Sequence, residues 1–177
     1  MNDLQDQVIV PVQMEEIDLR RANFWFVVNQ PSFKGFLILF LLVVIAGFVV
    51  NESLLIILPA LTLATFLLVT PLVVYFNTKR IFSDLKDFQK DVVFTFSDAE
   101  LESNNERAHG NAGWDSYIKA VESKHSFNLF IQRRLFIVVP KRFIKSSSDL
   151  NRVREILKNN FGDKVKLQNR SAKRSKK

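Results

Sequence analysis

Side chains able to do acid–base, metal or nucleophilic chemistry are few in this sequence, and they are scattered. His109 and His125 are the two histidines. Each stands in a polar stretch without a second histidine at metal-ligand spacing. Ser116 and the Ser146–Ser148 run have no histidine partner at a recognisable spacing. The five glycines do not assemble a phosphate-cradling loop. There is no cysteine, so disulfides, iron–sulfur clusters and thiolate zinc sites are excluded. The acidic residues form no evident pair for general acid–base work. The sequence therefore points away from an enzyme, and no catalytic residue, metal or cofactor is expected.

Clustered positive charge is what the chain has instead. Arg133 and Arg134 sit between two apolar stretches that read as a hairpin, and Lys141 and Arg142 follow the second of them. With Lys145 they are expected to make a basic patch at one edge of a sheet. Such a patch suits anionic phospholipid headgroups or an acidic protein partner. A solvated rim is the simpler alternative.

A second concentration of charge lies at the C-terminus. From Gly162 to Lys177 there are seven Lys or Arg against one Asp, a net +6 that leaves about +1 for the rest of the chain. With few apolar residues to bury, residues 162–177 are expected to be a disordered basic tail. It would attach to anionic lipid or simply be solvated. Nucleic acid is disfavoured, because no aromatic residues interleave these charges.

The elements that must carry these groups are dominated by two apolar runs. Phe36–Val50 and Leu54–Phe76 contain no charged residue, and only Asn51, Glu52 and Ser53 separate them. A helix rises about 1.5 Å per residue and a bilayer core is roughly 30 Å thick, so the second run is long enough to span. The first reaches a marginal span over 33–51, with Lys34 near the end where its stem can snorkel. Each Leu, Ile, Phe or Val contributes about −0.3 to −0.6 kcal/mol to insertion, which outweighs one terminal lysine. Neither run shows the polar face of a soluble amphipathic helix. Thr62, Thr65 and Thr70 can bond back to the preceding turn, and Pro71 should bend the second helix near its exit. No ionisable group lies at membrane depth, which argues against ion translocation by a monomer.

Two helices with so short a connector form a transmembrane hairpin, 33–51 and 54–76. Arg20, Arg21 and Lys34 precede it, Lys79 and Arg80 follow it, and the connector carries only Glu52. Positive charge at both outer ends places both termini in the cytoplasm and the protein in the cell inner membrane as a multi-pass protein. The start of the chain is acidic and lacks the basic region of a cleaved signal peptide, so the first span is expected to act as an uncleaved signal. Gly35 and Gly47 make no small-xxx-small pair, and the oligomeric state is open.

Outside the hairpin, residues 1–32 read as a strand over Val8–Met14 and a helix over Glu15–Gln30, with Pro11 suited to a sheet edge. Trp25 suits either an interfacial belt or packing on the soluble part. Residues 77–91 keep a helical period through Ile81, Leu85 and Phe88 and read as a linker helix. From Val92 the period changes to two, and residues 92–161 read as five or six short antiparallel strands closed by one helix. Asn104–Gly113 reads as a loop or weak hairpin. The stretch Leu135–Val139 is apolar on both faces and reads as a central or covered strand. Leu150, Val153, Leu157 and Phe161 mark the buried face of the closing helix, which Gly162 ends. The fold class is thus an α+β membrane protein: a two-helix transmembrane hairpin plus a small antiparallel, pleckstrin-homology-like (PH-like) β domain capped by a C-terminal helix. Trp114, Pro140 and Phe143 are its expected structural anchors, and Trp114 could alternatively line a groove.

Several residues carry a family resemblance. They are Phe94-Thr95-Phe96-Ser97-Asp98, Trp114, Phe136 through Pro140-Lys141-Arg142-Phe143, and Ser147 to Leu150 with the helix after it. In this order, behind a transmembrane hairpin, they resemble the YcxB-like membrane proteins of bacteria. That family tends to place a small residue between the arginine and the phenylalanine, whereas Phe143 follows Arg142 directly here. The resemblance implies fold and location and carries no agreed activity. The expected role is binding, to a protein partner or to lipid of the bilayer that holds the chain. An immunity-type protein that protects the membrane against a cognate toxin is the alternative.

Overall fold

The computed structural model describes residues 7–85, 91–106 and 108–168. The acidic start, the last part of the expected linker helix (86–90) and the tail beyond 168 lie outside these residues. The chain divides into two compact units. One gathers the chain up to Ala22 with the chain from Asp84 onward, and the other is Asn23–Ser83.

In the second unit, α2 covers Pro31–Val50 and α3 covers Ser53–Leu85. Pro31 opens α2 with its φ already set for a helix, at a position whose N–H has no helical partner. Asn51 closes it in the left-handed region at φ 59°, a conformation asparagine tolerates better than most residues. Its N–H bonds back to the Gly47 and Phe48 carbonyls, and the chain reverses into α3. The two helices then run antiparallel. Phe36 meets Phe66 with ring centroids 4.6 Å apart, while Gly47 lies beside Leu55 and Ile56 near the connector. A Cβ at Gly47 would come within 2.9 Å of the Leu55 backbone, so the approach there requires glycine.

Over the runs Phe36–Val50 and Leu54–Phe76, neither helix carries a charge on any face. The most hydrophobic 18-residue window of α2 has a mean hydropathy of 2.7 and is 6% buried, and that of α3 has 2.3 and is 0% buried. Thr62, Thr65 and Thr70 each donate to the carbonyl four residues back, at 2.8, 2.9 and 2.7 Å. Helix α3 continues without interruption from the apolar run into the segment read as the linker helix, as the unbroken helical period there implies.

Among its described residues, the first unit contains eight strands in two four-stranded sheets. The first sheet runs β1 (Val8–Val12), β2 (Val92–Phe96), β3 (Glu100–Asn104), β4 (His109–Gly113), all antiparallel. The second runs β7 (Phe136–Pro140), β6 (Ser126–Phe130), β5 (Lys119–Glu122), β8 (Val165–Lys166). Helix α1 (Glu16–Asn29) leaves β1, and α4 (Ser147–Phe161) follows β7. Alternation decides which faces meet. Val8, Val10, Val12, Phe94, Phe96 and Leu101 line the first sheet's inner face. Ala120, Phe127, Leu129 and Val139 line the second's, and α4 contributes Val153, Ile156, Leu157 and Phe161 to the same core. Ser146 caps α4 by accepting the Asp149 N–H at 2.9 Å. Pro11 lies on the edge strand β1, where its missing donor costs no ladder bond.

Three expectations are corrected, and one open alternative is decided. Of the two readings of 104–113, loop or weak hairpin, the structure takes the hairpin. His109–Gly113 pairs with β3 in continuous register, because main-chain bonds to an existing neighbour need no apolar side chains. The strand after the arginine hairpin is an edge, and β6, buried at all five positions, is interior. Residues 92–161 hold six strands, within the five or six expected, but the pairing is not wholly antiparallel, because β5 pairs with β8 in parallel. Finally, the tail is ordered at its root. Val165–Lys166 adds to β5 in parallel, which satisfies an edge that would otherwise stay open.

Candidate functional site

The charged groups expected to form one patch are placed at opposite ends of a strand. Arg133 and Arg134 lie in the 131–135 turn before β7, and Lys141 and Arg142 lie in the single 3₁₀ turn that follows Pro140. Five residues of strand separate the pairs by roughly 16 Å, at about 3.3 Å per residue.

At the far end of β7, Lys141 and Arg142 both have acidic partners. Pro140 is buried and pairs with Ser126, and the Lys141 N–H donates to the His125 carbonyl at 2.9 Å. This fixes the turn, and its side chains then diverge. The Lys141 ammonium lies 2.6 Å from Glu122 Oε1 and donates to the Ser123 carbonyl at 2.6 Å. Arg154, on α4, closes on the same carboxylate with Nη2 2.6 Å from Oε1 and Nε 3.1 Å from Oε2. The Gln168 N–H adds a fourth donor at 3.0 Å to Oε2. The Glu122 side chain is fully buried. Burial alone would raise its pKa. The hydrogen bonds from Arg154, Lys141 and Gln168, with the Lys141 charge, outweigh burial and hold the carboxyl below its ordinary value.

Arg142 turns the other way. Its Nη2 lies 2.8 Å from Glu15 Oε1 and 2.8 Å from the buried Asp18 Oδ2, at the start of α1. The guanidinium also stacks over the Phe143 ring at 4.5 Å. Chiefly through the Glu15 hydrogen bond, these carboxylates raise the Arg142 pKa further. The pKa of His125, in the neighbouring turn, is shifted down by desolvation first and then by Arg21, Lys124 and Lys141, against a smaller upward pull from Asp18.

Trp114 lies in the core between the sheets and α4. Its indole N–H donates to the Ser97 carbonyl at 3.1 Å, and its ring meets Phe96, Tyr117 and Phe161. Phe143 packs partly buried against that core.

At the near end of β7 the arginines are free. Arg133 and Arg134 are exposed and make no ion pair among the described residues. A buried polar ladder runs along β6, with Ser123 and Ser126 hydroxyls 2.9 Å apart and Ser126 donating to Asn128 Oδ1 at 3.0 Å. No three His, Asp or Glu gather to hold a metal among the described residues.

Residues 96–157 match the family model of YcxB-like proteins. The resemblance read from Trp114 and the Pro140–Phe143 turn therefore holds over this stretch. The YcxB-like segment contains Glu122, Lys141, Arg142 and Arg154. It leaves out β1, the α1 carboxylates, both long helices and β8. No curated protein and no solved structure matches the chain.

Two acids at the centre of this geometry were not singled out from the sequence. Asp18 follows two other acids in a helix start. Glu122 ends the strand Lys119-Ala120-Val121-Glu122, and its signal was an acid abutting two buried apolar positions.

Proposed function

We propose that this is an integral inner-membrane protein whose first unit lies on the cytoplasmic side as a non-catalytic binding module. The observation that carries this reading is the surface of α2 and α3. Helices of this hydropathy with 6% and 0% of their windows buried are not core helices of a soluble fold. In water they would expose a continuous sleeve of Leu, Ile, Val and Phe, far beyond the apolar patches soluble monomers tolerate. Lipid as their solvent removes that cost, and both have every interior backbone group but those around the prolines satisfied within the helix. The antiparallel hairpin returns the chain to the side it left, and Arg20, Arg21, Lys79 and Arg80 favour the cytoplasm for that side.

Two stacked sheets with a helix at the C-terminal end support a PH-like architecture for the first unit. Binding is favoured over catalysis because the charged groups at the Lys141–Phe143 turn neutralise one another instead of facing an open cleft. Candidate ligands are a protein partner or anionic phospholipid headgroups. Alkaline carbonate extraction of membranes, with a reporter fused at Lys177, tests the placement. Retention in the pellet and a cytoplasmic reporter are expected. A released protein, or a periplasmic reporter, would overturn it.

A further inference from the structure

We infer that the turn between β6 and β7 is an interfacial contact element that dips its aliphatic end into an anionic lipid surface. The inference rests on the membrane placement proposed above and specifies a ligand for the Arg133–Arg134 half of the expected patch.

Strand register builds this element. Lys119 pairs with Phe130, and Phe130 pairs with Phe136. One rung further out, the Ile118 N–H donates to the Phe130 carbonyl at 2.7 Å, and the Ile131 N–H donates to the Leu135 carbonyl at 3.0 Å. Ile118, Ile131 and Leu135 thus form a row across three strands at the end of the second sheet. They are 45%, 36% and 53% exposed, although the rung behind them ends in the buried Phe130. Three adjacent branched aliphatics at a sheet end are a contact surface waiting for an apolar medium.

The charges around the row identify that medium. Gln132, Arg133 and Arg134 cap it, all exposed, and neither arginine meets a carboxylate among the described residues. Lys119 lies over the Phe130 ring at 4.3 Å on the rung behind. No Asp or Glu occurs anywhere from Ser123 to Ser148, a stretch with six Lys or Arg. A protein partner would have to match both an aliphatic row and an unrelieved positive rim. An anionic leaflet supplies both at once, acyl chains below and phosphates at the level of the arginines. The contrast within β7 supports the assignment. Lys141 and Arg142 are committed to Glu122, Glu15 and Asp18 at one end, and the arginines at the other end are left available.

The absence of cysteine makes the test direct. The full-length protein is reconstituted into vesicles with a single environment-sensitive fluorophore on Gln132→Cys, on Lys124→Cys at the other end of β6, or on Ala64→Cys within α3. Lipid-borne and aqueous quenchers are compared in vesicles rich in phosphatidylglycerol and in phosphatidylcholine alone. The Gln132 label should be lipid-quenched and iodide-shielded in the anionic vesicles. It should lose most of that quenching in phosphatidylcholine and with Arg133→Gln/Arg134→Gln or Ile131→Ser/Leu135→Ser. The Lys124 label should stay aqueous. If Ala64 is lipid-quenched while Gln132 stays open to iodide, the tip does not touch lipid and the inference fails alone. Equal quenching at Lys124 and Gln132 also overturns it. If Ala64 is not quenched either, the membrane placement falls with it.

Discussion

Arg154 grips both oxygens of Glu122, with Nη2 2.6 Å from Oε1 and Nε 3.1 Å from Oε2, and so ties α4 to the end of β5. Lys141 bonds the same buried carboxylate from the β7 side at 2.6 Å. One acid thereby joins the second sheet, the closing helix and the turn after Pro140. A lone buried charge would be strongly unfavourable, so the three groups stand or fall together.

Removing the acid should therefore cost more than removing a surface ion pair. Glu122→Gln leaves two cations without their anion in a site where Lys141 and Arg154 side chains are 14% and 20% exposed. A loss of about 2–4 kcal/mol is expected, slightly below the usual range for a broken buried pair because the cations keep some water. Thermal unfolding of the full-length protein in micelles or nanodiscs, followed by tryptophan fluorescence, measures it. A Glu122→Gln variant with unchanged Tm would sink the idea that this carboxylate organises the fold.

The same group makes stability depend on acid. Its folded pKa lies below the value it has in the unfolded chain. The unfolded state then binds more protons as pH falls, so the stabilisation present above about pH 4.3 is lost as pH drops through the depressed folded value. His125 adds to this at milder pH. Its folded pKa is depressed too, so stability declines as pH falls below about 6.5. Tm measured from pH 8 downward should fall in two stages, and Glu122→Gln should remove the lower one.

Arg142 joins the turn after β7 to the start of α1. Asp18 is 5% exposed and Arg142 is 42% exposed, so neutralising the arginine leaves the acid buried and short of its partner. Arg142→Gln should destabilise by about 1–2 kcal/mol, discounted for the open side of the guanidinium. Coupling with Asp18→Asn in a double-mutant cycle should be positive. Additive effects would mean that the contact contributes nothing.

Trp114→Phe removes the indole bond to the Ser97 carbonyl while leaving an aromatic ring, and should cost about 1–2 kcal/mol. Trp114→Ala empties the space against Phe96 and Phe161 and should cost about 3–5 kcal/mol. Unfolding read by far-ultraviolet circular dichroism distinguishes them. If Trp114→Ala unfolds no earlier than Trp114→Phe, the ring is not a core anchor.

The amino-acid order alone determined the elements whose signal is local. The apolar runs of α2 and α3 declare themselves through length and the absence of charge. Strand β2 and the buried face of α4 declare themselves through periods of two and 3.6. The His109–Gly113 strand was legible only as one of two alternatives, loop or weak hairpin, because its pairing rests on main-chain bonds to β3 and its side chains carry no apolar alternation. Strand β8 was hidden, because its two residues pair through the main chain in a segment whose charge suggested a solvated tail. Tertiary structure alone decided which charges are spent and which are free. Lys141 and Arg142 read like Arg133 and Arg134, until folding brings Glu122, Asp18 and Glu15 to the first pair and, among the described residues, none to the second. Partners separated by 19 residues or more along the chain leave no periodic trace, because a charge meets its counter-charge through the packing of sheets and helices rather than through neighbours in sequence.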